Sequence, residues 1–258
     1  MLVILSPAKT LDFESDLPTM SASQPLFQDE SAFLVNKLKR ISAKRLQTMY
    51  NANSEITALN KARFQEWSLP FHAGNSRQAM LAFTGEVYRG LNAQTMTETE
   101  FEFAQQHMCI LSGLYGILRP LDLIQPYRLE MGTRWEISAK IKNLYAYWSD
   151  TVTEWLNNHE DQGPLINLAS NEYFKAVDQK KLNREVITCH FRDLKGSEYK
   201  SLMTYAKHAR GAMTRFIVRN HLTDPEELKA FDGMGYTFNP RLSSGNELVF
   251  TRDQVVNS

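Results

Sequence analysis

Residues 111–132 read LSGLYGILRPLDLIQPYRLEMG. Three Gly and two Pro break this stretch into turns, so no long helix or unbroken strand runs through it. It is nevertheless full of Leu, Ile and Tyr. A segment that is both loop-rich and apolar must be packed against something. The chain has the material to cover it: 258 residues, 43% hydrophobic and 11% aromatic. That length allows one large domain or two small ones. With no internal repeat, no Gly- or Ser-rich linker and no break in composition, one domain over 1–258 is expected. Strands and helices alternate irregularly, which predicts a mixed α/β (α+β) fold with a central mixed sheet rather than a regular doubly wound one.

Leu2–Leu5 reads as a short buried strand ended by Ser6-Pro7. The spacing of Leu26, Phe27, Phe33, Leu34, Leu38 and Ile41 predicts a helix over 26–40. Ser42 is placed to cap a short helix reaching Tyr50, and Ser54 to cap another reaching Trp67. Ala79–Phe83 reads as a strand, Thr97–Met108 as a helix and Cys109–Leu111 as a strand. Asn143–His159 has helical amphipathicity. Pro164–Leu168 and Glu185–Phe191 are strands, the second turning back at Lys195-Gly196. Residues 204–220 form the clearest helix, with Tyr205, Ala209, Ala212, Met213 and Phe216 on one face. Asp224-Pro225 starts a further helical turn, and 235–251 reads as a hairpin.

Charge and composition exclude several classes. Lys+Arg and Asp+Glu are each 29, so net charge is zero, which excludes a bulk-basic nucleic-acid coat and an acidic disordered tail. Two cysteines, Cys109 and Cys189, exclude a disulfide scaffold. No basic stretch precedes the apolar run at the start, so no signal peptide is expected, and no apolar run approaches the roughly 20 residues of a membrane span. A cytoplasmic protein without membrane contact follows. The zero net charge hides segregation. Residues 35–63 carry seven cations against Glu55 alone, and 200–219 carry five against none. Each run is either a solvated helix face or part of an anion-binding surface.

Several constellations could carry chemistry. Leu46-x-x-Met49-x-Asn51-Ala52-Asn53 approximates a helix-hairpin-helix turn, with Asn at the two positions usually held by Gly. Asn is the next residue able to adopt the left-handed backbone. Such a turn aims backbone N–H groups and the next helix's N-terminus at phosphate. Plain helix packing explains the same pattern. The flanking Lys44, Arg45, Lys61 and Arg63 point towards phosphate, and with Asn51 and Asn53 they form the candidate DNA-binding set over about 42–67.

Ser6-x-x-Lys9 matches an acyl-transfer string whose companion motifs are absent, so Lys9 reads as a cation presented by a post-strand loop. Arg119-Pro120-Leu121-Asp122 and Arg128-Leu129-Glu130 are either structural ion pairs or an Arg-lined anion site. None of the six His lies in a chelating pattern and no phosphate-loop or dinucleotide fingerprint is present, so neither a structural metal nor a cofactor is expected.

Lys9, Arg128, Lys207 and Arg210 are expected to share one cleft. Lys9 leaves a strand apolar enough to be central. Arg128 lies in the packed apolar segment. Lys207 and Arg210 are i, i+3 neighbours on the clearest helix. Four cations held together repel by about 1 kcal/mol or more per near pair at 4 Å even in water, which an anion in the gap relieves.

Ser6-Pro7-Ala8-Lys9-Thr10-Leu11-Asp12, the run Leu111–Gly132, Asn167-Leu168-Ala169-Ser170, Glu172-Tyr173-Phe174-Lys175, Tyr205-Ala206-Lys207 and Ala209-Arg210-Gly211 together resemble the bacterial YaaA family of peroxide-stress resistance proteins. The resemblance extends over essentially the whole chain. It implies a cytosolic single-domain protein that limits oxidative damage during peroxide stress and is associated with lower free intracellular iron. It also implies a compact mixed α/β fold unlike the common superfolds, with a positively charged cleft, a helix-hairpin-helix element and DNA binding. It supplies no catalytic residue.

Residues and resemblance converge on a monomer that binds double-stranded DNA through a basic cleft. Lys and Arg neutralise phosphates and main-chain N–H groups position the duplex without reading bases. The competing class is an enzyme acting on a small anionic or nucleotide substrate, with Lys9, Arg119, Arg128, Lys207 and Arg210 lining its pocket. A closed pocket with converging cations and a carboxylate favours the enzyme; an open groove favours the binding protein.

Overall fold

The structure is a computed structural model that describes residues 1–253. In chain order its strands are β1 (Leu2–Leu5), β2 (Thr10–Leu11), β3 (Arg77–Gln78), β4 (Phe83–Thr84), β5 (Met108–Ser112), β6 (Gly116–Leu118), β7 (Leu123–Ile124), β8 (Leu165–Asn167), β9 (Val186–Lys195), β10 (Glu198–Lys200), β11 (Thr237–Phe238) and β12 (Glu247–Arg252). The α-helices are α1 (Gln28–Lys39), α2 (Ala43–Tyr50), α3 (Ser54–Glu66), α4 (Ala79–Ala82), α5 (Glu86–Leu91), α6 (Glu98–His107), α7 (Leu144–Asn158), α8 (Asn171–Phe174) and α9 (Met203–Arg219).

Every residue of β1 is apolar and every one is buried. A strand apolar at each position has no face to show water, and it takes the middle of a sheet with parallel neighbours. β1 pairs in parallel with β5 on one side and β8 on the other. The sheet runs β11-β12-β9-β8-β1-β5-β6, with β10 paired to β9. β8–β9 and β9–β12 are also parallel, whereas β5–β6, β9–β10 and β11–β12 are antiparallel. The fold is therefore mixed α/β around one mixed sheet. Two small antiparallel ribbons, β2–β4 and β3–β7, lie off it.

The apolar segment 111–132 is packed as its composition requires. It forms the end of β5, the hairpin strand β6 and the short β7, and nearly all of it is buried. Gly116 turns with φ 68°, and an added Cβ there would lie 2.6 Å from the Trp148 ring. The Trp148 indole N–H donates to the Gly113 carbonyl at 3.0 Å. The Arg119–Asp122 turn closes on itself: Asp122 accepts from the Arg119 backbone N–H at 2.8 Å and from its guanidinium at 2.8 and 3.1 Å. Burial raises the Asp122 pKa, opposed by these bonds and by the Ser23 hydroxyl.

Three expectations are corrected. Residues 79–82 form a helical turn, and only Phe83–Thr84 continue as strand. Helix α3 is capped by Asn53, whose side chain accepts from the Ile56 N–H at 2.8 Å, and not by Ser54. Tyr205 is exposed. Ala206, Ala209, Met213 and Ile217 make the buried stripe of α9, because the packing face is rotated towards α5.

Helices α5 and α9 cross with their backbones almost touching. A Cβ on Gly211 would sit 1.7 Å from the Val87 carbonyl oxygen, and one on Gly90 2.1 Å from that of His208. No rotamer change relieves a clash with backbone. Gly211→Ala should destabilise the protein by about 2–3 kcal/mol or more. Urea unfolding followed by circular dichroism would reveal it as a lowered midpoint at unchanged slope.

Candidate functional site: a cleft at the sheet's reversal point

Strand order reverses between β1 and β8. From β1 the chain crosses to β5 on one side, whereas from β8 it proceeds to β9 on the other. At such a point the loops leaving the two strands diverge and open a crevice beyond their carboxyl ends. Here the loops are Ser6–Thr10 and the segment from Leu168 into α8. Between them lies a cleft of about 640 Å³. Its walls are completed by Thr84–Tyr88 and the start of α9.

The two loops are tied at the cleft floor. The Ser170 backbone N–H donates to the Ser6 hydroxyl oxygen at 2.8 Å, and that hydroxyl lies 3.3 Å from the Ser170 hydroxyl. The Tyr88 hydroxyl donates to the Ser6 carbonyl at 3.0 Å. Tyr88 is buried, and desolvation pushes its phenol far up, so it acts as a fixed donor.

Of the four cations expected to converge, Lys9, Lys207 and Arg210 line this cleft. Arg128 does not line it. Arg128 reaches the Glu130 carboxylate at 2.9 Å, and Lys9 reaches the other oxygen of the same carboxylate at 2.9 Å. Glu130 thus links Arg128 to the cleft's edge. Lys207 and Arg210 enter no ion pair among the described residues. The Arg210 Nε is buried without a hydrogen-bond partner among the described residues. Desolvation lowers the Arg210 pKa, the direction for a guanidinium taken from water without a counter-ion. The wall also carries carboxylates. Glu86 is held by Arg89 at 2.7 Å and His208 at 3.3 Å, and Glu172 accepts from the Gly132 N–H at 3.0 Å.

The candidate DNA-binding residues lie on and around the α2–α3 hairpin. Asn51 ends α2 in the left-handed conformation, φ 46° and ψ 49°. Asn53 starts α3 as its cap. Ser42 caps α2, accepting from the Arg45 N–H at 3.4 Å. Lys44 and Arg45 are exposed, and Arg45 faces a depression with Lys37, Arg40 and Glu136. Lys61 is turned inward: its ammonium donates to the Lys39 and Ile41 carbonyls at 2.6 Å each and closes the end of α1. Arg63 lines a different hollow, beside Glu14, Asp16 and Arg77.

The hairpin is fixed to the cleft's edge by one residue. The Tyr50 hydroxyl donates to the Arg128 carbonyl, and the Arg128 guanidinium lies 5.8 Å from the Tyr50 ring centroid. The path Asn51–Tyr50–Arg128–Glu130–Lys9 is therefore continuous. Arg119 belongs to neither surface, being bound to Asp122 and the Gln24 carbonyl.

On sequence grounds Ser170 and Glu172 have no site role beyond the family resemblance, and Glu86 and Tyr88 none at all. A signal for the first two existed. Both central strands end in the same way, LVIL in Ser6-Pro7-Ala8 and LIN in Leu168-Ala169-Ser170. Two buried parallel strands followed by small-residue breaks mark paired loops. Glu86 and Tyr88 carried no such signal, since only the α5–α9 crossing brings them near.

A family model described as peroxide stress protein YaaA matches residues 1–242. A protein of Hahella chejuensis (strain KCTC 2396), described as a UPF0246 protein, is 52% identical over 256 residues, covering 98% of this chain and 100% of that protein. The chain belongs to the peroxide stress protein YaaA family. A role in the oxidative-stress response follows from that membership. No helix of the described residues is long and apolar enough to cross a membrane.

For a member of this family the two thiols matter. Cys109 lies in β5 and Cys189 in β9, both buried. Burial pushes each thiol up to about 12, although Arg210 pulls Cys189 the other way. At neutral pH almost no thiolate, the form that attacks peroxide, is present. Intact-mass and peptide analysis after mild hydrogen peroxide should show both cysteines unmodified. Rapid sulfenic acid formation at either position would contradict this.

Proposed function

We propose that this protein acts in the peroxide response as a cytoplasmic, monomeric DNA-binding protein, holding duplex DNA without sequence preference. The observation that carries this reading is the continuous link from the Asn51 turn through Tyr50, Arg128 and Glu130 to the cleft that holds Lys207 and Arg210. The α2–α3 hairpin offers the geometry needed to meet phosphate: a left-handed residue at the turn, a helix N-terminus behind it and exposed Lys44 and Arg45 on the preceding helix. The duplex would meet Lys9 at the cleft's edge, and inside it Lys207 and Arg210 pair with no carboxylate among the described residues. Such contacts neutralise backbone charge and release counterions, so binding is tolerant of sequence and sensitive to salt. Lys61 contributes by fixing the hairpin against α1, and Arg63 lies at its far side.

A second reading has its own support. The cleft's volume of about 640 Å³ lies in the range that encloses one small molecule, and Glu86 and Glu172 stand beside its cations. That combination suits an enzyme acting on a small anionic or nucleotide substrate. The family match supplies no reaction for it.

Reversing both exposed charges, Lys44→Glu with Arg45→Glu, should weaken duplex binding equally for all sequences. The plot of log affinity against log salt should flatten by about one unit per lost phosphate contact. Fluorescence anisotropy at several salt concentrations measures both. Unchanged affinity and slope would remove the hairpin from the binding surface.

A further inference from the structure

We infer that the cleft between β1 and β8 receives the phosphate monoester of a single nucleotide at the end of a DNA strand, while the hairpin holds the duplex behind it. This rests on the DNA-binding reading and specifies which DNA structure the cleft recognises. The first argument is size. A space of about 640 Å³ is of the size that takes one nucleotide unit rather than a length of duplex.

The second argument is charge. Lys207 and Arg210 are i, i+3 neighbours on α9 that share the cleft and form no ion pair among the described residues. A guanidinium partly removed from water with its Nε unpartnered is unfavourable until an anion arrives. The planar fork of Arg matches phosphate oxygens better than any other side chain does. A phosphate monoester carries about −1.5 to −2 charges at pH 7, against one for a diester link. Two unpaired cations match the monoester.

The third argument is what stands opposite. A continuous phosphodiester backbone crossing the cleft would pass Glu86 and Glu172, and like charges at close range repel. A strand that ends in the cleft presents its terminal phosphate to Lys207 and Arg210 and needs no exit past the carboxylates. Met203 precedes Lys207 by four residues and Arg210 by seven, so it lies on the same helical stripe, and it is 73% exposed. With Tyr173 and Val87 it gives the last sugar and base an apolar wall. The link through Glu130, Arg128 and Tyr50 leads from this pocket to the hairpin, where the duplex would continue.

The test compares one duplex sequence in four forms: open with terminal hydroxyls, open with 5′-phosphates, open with 3′-phosphates, and closed at both ends by loops. Anisotropy titrations give affinities, and a free nucleoside monophosphate serves as competitor. The full chain should bind at least one phosphorylated form about tenfold or more tighter than the hydroxyl form. The nucleoside monophosphate should erase that gain. In Lys207→Gln, an exposed position, and in Arg210→Lys, which keeps the charge but loses the fork, the ratio of phosphorylated to hydroxyl affinity should fall towards one. In the Lys44→Glu, Arg45→Glu protein both affinities should fall while the ratio persists.

Equal affinity for phosphorylated, hydroxyl and closed duplexes would overturn the strand-end proposal and leave DNA binding intact. Absence of binding to every duplex would overturn the DNA reading itself. Binding of the nucleoside monophosphate alone would then make the cleft a small-nucleotide site and equally overturn strand-end recognition.

Discussion

Parallel pairing of β1 on both of its edges is the constraint on which the rest depends. Four consecutive apolar residues leave the strand no solvated face, so it must be central, with β5 and β8 beside it. Each fully buried Leu or Ile contributes about 1.5–3 kcal/mol. Moving β1 to an edge would forfeit much of that. Once β1 is central, β5 and β8 fall on opposite sides of it, and the sheet must reverse its winding at β1–β8. The cleft is the geometric result of that reversal. Its position follows from a hydrophobic requirement, before any functional residue is considered.

What the cleft can hold is then decided by an unequal sharing of acids. Glu130 satisfies two cations with one carboxylate, one oxygen to Lys9 and the other to Arg128. Glu86 is taken by Arg89 and His208. Among the described residues Lys207 and Arg210 are left over, although the chain has equal numbers of acids and bases. Equal totals of acids and bases therefore do not pair every cation, because ion pairs are distributed by packing and not by overall balance. The close α5–α9 crossing makes this distribution durable. Gly90 and Gly211 let the helix backbones meet, which sets Glu86 and His208 side by side and fixes the α9 face that carries the free cations.

The sequence made some of this legible for definite reasons. Central placement of β1 followed from LVIL, and burial of 111–132 from the conflict between its turn residues and its apolar content. The start of α2 followed from Ser42, and its break from α3 from the Asn pair. Convergence of Lys9 with Lys207 and Arg210 followed from strand centrality and helical spacing. Other features depended on contacts that no local pattern encodes. The Arg128–Glu130 pair is one of the two readings of that string, but only the fold shows Glu130 also taking Lys9 and so standing between Arg128 and the cleft. Lys61 reads as a surface cation, yet the α1 carbonyls that it closes lie about twenty positions earlier. The strand expected at 79–83 fails because Ala79–Ala82 are buried on every side, and an apolar run of four does not distinguish a strand from a helical turn.

Family membership sets the physiological context, and the chemistry of the interior narrows how this chain acts within it. A protein that reduces peroxide with a thiol needs an exposed cysteine whose thiolate is stabilised by nearby positive charge. Here the charge and the cysteine are close, since Arg210 acts on Cys189, but enclosure outweighs it and the thiol stays protonated. Burial thus uncouples the same guanidinium from thiol chemistry while leaving its Nε without a partner. The cation that would activate a sulfur nucleophile in a wetter site lines the cleft instead. Family membership supplies the stress role, and Lys207 and Arg210 at the β1–β8 reversal are the groups on which the proposed anion binding rests.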